Sequence, residues 1–152
     1  MRASRLVGIA LLLLLVAPGN PLPTSAQPRQ AAPSIQGQWR NADTIIQITV
    51  NKEEVEGKFA RVGPAAAGLG FKVAEVSLKG SQRGEFLFGE QTIRYGGTQA
   101  CFKDGRKVAF IGRVTPDGQV LALHNYNVFI GPDCRDTGEY QVLETLWQRV
   151  PR

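Results

Sequence analysis

The chain has 152 residues, 43% of them hydrophobic and 20% charged, with 18 Lys and Arg against 13 Asp and Glu for a formal net charge of +5. That length suits one domain with one core, and a single histidine excludes a multi-histidine metal centre. The basic residues are scattered apart from Arg106-Lys107, so the clustered basic surface expected of a nucleic-acid binder is missing.

The chain opens like a secretory leader. Arg2 and Arg5 precede an apolar run from Leu6 to Ala17, and the small-residue stretch Thr24-Ser25-Ala26 follows. Cleavage after residue 26 is expected, with a retained membrane anchor as the alternative. Pro18 and Pro21 oppose a continuing helix, and no cysteine is present there to carry a lipid. The leader holds two of the basic residues and no acidic one, so the remainder carries sixteen against thirteen, a net +3. The expected destination is secreted or periplasmic, with no integral membrane segment after cleavage. Residues 27–34, "QPRQAAPS", are poor in large apolar groups and are expected to be a disordered arm.

From residue 35 the pattern has period two. Ile46, Ile48 and Val50 alternate with Gln47 and Thr49, Ala74, Val76 and Leu78 with Glu75 and Ser77, and Phe86 and Phe88 flank Leu87. Turn-rich runs at Asn41-Ala42-Asp43, Gly80 to Gly84, Lys103-Asp104-Gly105 and Pro116-Asp117-Gly118 separate the segments. The expected strands are 35–41, 44–51, 54–62, 71–79, 84–95, 106–114, 119–129 and 139–150, with no helix between them. Eight strands suit an all-β, antiparallel, up-and-down barrel over residues 35–152, able to close around side chains or one small ligand.

Gly37-x-Trp39 on the first strand, with Arg149 near the end of the last, resembles the signature of the calycins: lipocalins, fatty-acid-binding proteins and avidins. The resemblance implies that Gly37, Trp39 and Arg149 close the base of the barrel, the arginine packing over the indole. It stops short of a ligand. Only Trp39 and Trp147 are present where avidins line their biotin pocket with several tryptophans, and the further lipocalin motifs between the middle strands are missing.

Cys101 and Cys134 fall at the same end of the hairpin made by the sixth and seventh strands. In an exported chain they are expected to form a structural disulfide rather than a redox-active pair, which would favour Cys-x-x-Cys spacing. Candidate chemistry is otherwise sparse. His124 has no oriented nucleophile pattern beside it, and Asp133, Asp136 and Glu139 do not match a calcium loop. Gly63 to Gly70, "GPAAAGLG", lacks the lysine and hydroxyl of a phosphate loop and reads as a mobile flap. No catalytic residue, metal site or cofactor is expected.

In up-and-down order, the long connections 63–70, 96–105 and 130–138 gather at one end and tight hairpins at the other, giving an open mouth away from the Gly-x-Trp base. Candidate lining residues near the mouth are Tyr95, Tyr126 and Phe129, with His124 and Asn127 as polar anchors. Two functions fit this plan. One is a non-enzymatic barrel that takes a small apolar or amphipathic ligand at its open end. The other is a protein-interaction barrel, such as a protease or lysozyme inhibitor, acting through those three loops with a lumen packed by Phe59, Phe86, Phe88 and Phe110. Lumen volume separates them.

Overall fold

Alternation along the chain becomes eight strands because each run buries one face and hydrogen-bonds its backbone to two neighbours. The computed structural model describes residues 33–94, 101, 102 and 104–151. Its strands are β1 (Gly37–Asn41), β2 (Thr44–Asn51), β3 (Glu54–Arg61), β4 (Val76–Arg83), β5 (Phe86–Ile93), β6 (Arg106–Val114), β7 (Val120–Ile130) and β8 (Asp136–Arg149). Each strand pairs antiparallel with the next and β8 pairs back with β1, closing an up-and-down barrel in sequence order. The expected leader over 1–26 and most of the 27–34 arm lie outside the described residues. Among the described residues, no helix is long and apolar enough to cross a membrane.

The barrel is narrow enough for facing strands to fill its lower half. Trp39, Ile46, Ile48, Leu87, Val114 and Leu121 are completely buried there, in one cluster with Ile35. The seam between β1 and β8 is short, with Trp39 opposite Arg149 and Arg40 opposite Gln148. Asn41 extends it, its Nδ2 donating to the Leu146 carbonyl at 2.8 Å.

At the base the indole and the guanidinium form one plug. The guanidinium carbon of Arg149 stands 4.3 Å from the centre of the Trp39 ring, and Trp39 Nε1 donates to the Ile35 carbonyl at 2.7 Å. Arg149 Nε donates to the Gly118 carbonyl at 2.6 Å, Nη1 to the Gln36 carbonyl at 3.1 Å, and Nη2 to the Ser34 carbonyl. Gly37 lets this happen: it has φ 133°, and a Cβ there would come within 3.3 Å of Arg149 Nη1.

β8 starts at Asp136, three residues earlier than expected, and β4 and residues 63–70 differ from the expectation in more than their bounds. β4 begins at Val76 and runs through Arg83, five residues later than expected at its start, so Gly80 to Arg83 lie within the strand and the turn falls at Gly84-Glu85. Gly80 pairs with Gly89 of β5 so closely that a Cβ on either would stand 2.1 Å from a carbonyl oxygen of the other strand, which is why glycine occupies a strand interior twice. A bulge at Ser77 breaks the expected alternation: Gly57 pairs with Leu78 and Lys58 with Val76, and Ser77 and Leu78 are both buried. Residues 63–70 contain a short helix, α1 (Pro64–Gly68), where no helix was expected; Pro64 stands in its first turn, a position that needs no N–H donor.

Candidate functional site

The connections after β1, β3, β5 and β7 share one end of the barrel, opposite the Trp39 plug. A cavity of about 320 Å³ opens at that end. Its walls differ. Phe59 of β3 and Phe71, Leu69 and Ala66 of the β3–β4 connection line one side, with the Phe59 and Phe71 rings 5.0 Å apart. Asn125 of β7 and Thr145 and Trp147 of β8 contribute polar groups, between Leu123 and Leu143. β3 and β7 are four strands apart in a ring of eight, so these two sets face each other across the lumen.

The register explains why Asn125 points inward. Leu121 and Leu123 are buried core residues of β7, and period two carries the same face through Asn125 and Asn127, which are 3% and 7% exposed. Asn125 Oδ1, Asn127 Oδ1, Trp147 Nε1 and Arg94 Nε are all buried without a hydrogen-bond partner in the protein. Three of these four residues, Asn125, Trp147 and Arg94, line the cavity. Buried polar atoms are almost always satisfied, so these four depart from the rule, three of them on residues that line the cavity.

Arg94, just after β5, fastens the β3–β4 connection over the mouth. Its Nη2 lies 2.7 Å from Glu75 Oε1, Nη1 donates to the Gly70 carbonyl at 2.7 Å, and Nη2 reaches the Asp104 carbonyl at 3.3 Å. The guanidinium also lies 4.6 Å from the Phe71 ring centre. One side chain therefore ties the flap and the β5–β6 connection together, and its charge is balanced by Glu75. The Cys101–Cys134 disulfide links the β5–β6 and β7–β8 connections at the same end.

The residues expected to line the mouth divide. Asn127 is buried on the inner face of β7. His124 and Tyr126 are corrected to the outer face, because they take the opposite phase from Leu123 and Asn125. The imidazole Nδ1 of His124 is 3.7 Å from Glu144 Oε2, and Tyr126 packs on Tyr140 with ring centres 5.5 Å apart and is 55% exposed. Phe129 lies at the β7 irregularity between Val128 and Ile130 and is exposed, with its carbonyl accepting from Thr137 Oγ1. Tyr95 lies outside the described residues, as do residues 96–100. Phe59 and Phe110 are buried as a packed lumen requires, but Phe86 and Phe88 are half-exposed on the outside, flanking buried Leu87. Asp133 in the β7–β8 connection and Asp136 at the start of β8 accept from the backbone amides of Arg135 and Gly138, and no metal-holding cluster of three His, Cys, Asp or Glu groups occurs among the described residues.

Sequence reasoning missed Asn125, Trp147 and the Arg94–Glu75 clamp. For Asn125 the signal was present, in its shared phase with Leu121 and Leu123. For the clamp there was none, since its partners are 19 residues apart across a connection.

Fold and site together define an all-β closed barrel of eight strands with a sealed base and a lined opening, an architecture consistent with the calycin plan. No family model matches the chain, and no curated protein or solved structure matches it.

Proposed function

We propose that this is an exported, non-enzymatic barrel that takes a small amphipathic molecule through its open end. The observation that carries the reading is the cavity behind the flap, lined by Phe59 and Phe71 on one side and by Asn125, Thr145 and Trp147 on the other. Its volume lies at the lower end of the range for ligand pockets. Because the lower lumen is filled by side chains, a ligand would occupy the upper half only.

Fluorescence of the neutral dye N-phenyl-1-naphthylamine tests this reading. Wild-type protein should enhance and blue-shift the dye, and Thr145→Trp, which fills the cavity, should abolish the effect without lowering the melting temperature much. Equal enhancement by both proteins would place the dye on the outer surface and defeat the proposal.

The second reading, a protein-interaction barrel, draws support from the outer face rather than from the rim. Phe88 pairs with Ile111 across β5 and β6, and Tyr126 with Val142 across β7 and β8, and all four are at least 42% exposed. Loss of a partner on Ile111→Lys, with dye binding retained, would favour it.

A further inference from the structure

We infer that the free edge of β8 binds an extended, basic peptide segment as an added strand. The site is on the outside of the barrel and owes nothing to the cavity. β8 runs from Asp136 to Arg149, and β7 pairs along it from Asp136 to Gln148. On its other side β1 is five residues long and pairs with β8 at Gln148 and Arg149. Asn41 takes the Leu146 carbonyl, and from Thr145 back to Asp136 no strand among the described residues flanks that edge. Residues 136–142 are all exposed.

The register fixes which backbone groups stand unused. Arg149 N–H donates to the Gln119 carbonyl on the β7 side, and Val150 N–H to the Gln38 carbonyl on the β1 side. Backbone direction alternates along an antiparallel strand, so the even-numbered residues of β8 face the β1 side. The Leu146 carbonyl that accepts from Asn41 has the same parity. An unbroken register with β7 carries that parity back through Glu144, Val142 and Tyr140. Each of these three residues therefore presents its N–H and its C=O to the uncovered edge, at the spacing of a strand.

Charge selects the occupant. Exposed sheet edges are normally guarded by lysine or proline, yet residues 136–148 hold no Lys, Arg or Pro. They hold Asp136, Glu139 and Glu144 instead, in a chain of net charge +5. Glu139 and Glu144 stand on opposite faces of the strand and flank Tyr140 and Val142, which are 64% and 50% exposed. A second copy laid against this edge would bring together three carboxylates from each strand. A segment with an apolar pair between two basic residues suits the exposed side chains and the charge together.

The probe is acetyl-Lys-Thr-Val-Thr-Val-Lys-amide, with the same peptide carrying Glu for both Lys as its control. Each is titrated into the protein and followed by amide hydrogen exchange in NMR. The lysine peptide should slow exchange at Tyr140, Val142 and Glu144 and leave Gln141 and Leu143, already bonded to β7, as they were. The glutamate peptide should bind about tenfold weaker, the swing expected when two favourable cross-strand charge pairs become unfavourable. Val142→Pro removes one edge donor without touching the β7 ladder and should abolish binding of the lysine peptide. Should that variant not fold, the alternation of protection in the wild type decides alone. No protection by the lysine peptide overturns the inference, as does equal binding of the two peptides or protection without the even-numbered alternation. Slow exchange at Tyr140, Val142 and Glu144 before any peptide is added also overturns it; if sedimentation then finds a dimer, the occupant is a second copy. None of these outcomes bears on dye binding in the cavity.

Discussion

Replacing Trp39 and Arg149 with alanine, singly and together, measures whether the base of the barrel is one unit. Trp39 is completely buried and packs in the same cluster as Ile35, Ile48 and Leu121. Truncating such a side chain leaves a cavity in walls held by strands, and costs about 3–5 kcal/mol. Arg149→Ala releases three backbone carbonyls, those of Ser34, Gln36 and Gly118, at a partly wet end where water replaces some of the loss. About 2 kcal/mol is expected, below the full sum for charged donors. The pair should be coupled by about 1 kcal/mol, because the guanidinium stacks on the ring and both side chains hold residues 34–36. Urea unfolding reads all three. With a slope of roughly 2 kcal/mol per molar, Trp39→Ala should lower the midpoint by about 2 M. Strict additivity, or a Trp39→Ala midpoint within about 0.5 M of wild type, would refute the reasoning, since the plug would then contribute nothing as a plug.

Other expectations follow from the mouth and the sheet. Thiol titration of unreduced protein should find no free cysteine, and Cys101→Ser with Cys134→Ser should cost about 4 kcal/mol from a cross-link spanning 33 residues, seen as a lower melting temperature with the dye still bound at low temperature. Gly80→Ala should destabilise by more than about 3 kcal/mol, because the new methyl strikes the Phe88 carbonyl rather than a movable side chain; a mild effect would show that β4 and β5 can part at no cost. Glu75→Gln removes the charge partner of Arg94 and should speed amide exchange at Ala67 and Leu69 of the flap about tenfold, with exchange in β6 unchanged.

Much of the architecture could be read from the chain. Period-two runs and Pro116-Asp117-Gly118 identify the strands and the β6–β7 turn, because a half-buried strand imposes that pattern directly. The errors have physical causes. Gly80-Ser81-Gln82-Arg83-Gly84 has the composition of a turn, yet Gly80 is there to let two backbones approach, a demand that composition cannot distinguish from a turn. At His124 and Tyr126 the period was right and the phase was not. Aromatic residues suggest an interior, but the leucines of β7 fix the inner face on odd numbers and put Asn125 and Asn127 there instead. Phe86 and Phe88 fail for the same reason, with Leu87 holding the inner position. The Ser77 bulge and the Arg94 clamp depend on contacts between distant segments, which no local pattern records.

The paired glycines of β4 and β5 also limit how this sequence can vary over time. At most core contacts a larger residue on one side is accommodated by a smaller one on the other, so the two positions can drift together. Gly80 and Gly89 lack that freedom. A Cβ at Gly80 meets the carbonyl of Phe88, and one at Gly89 meets the carbonyl of Lys79, so neither obstacle is the neighbouring glycine's side chain. No substitution at one site can license a substitution at the other. Chains that keep this barrel should hold both glycines independently, or remove the close approach by inserting or deleting a residue that shifts the register of the two strands.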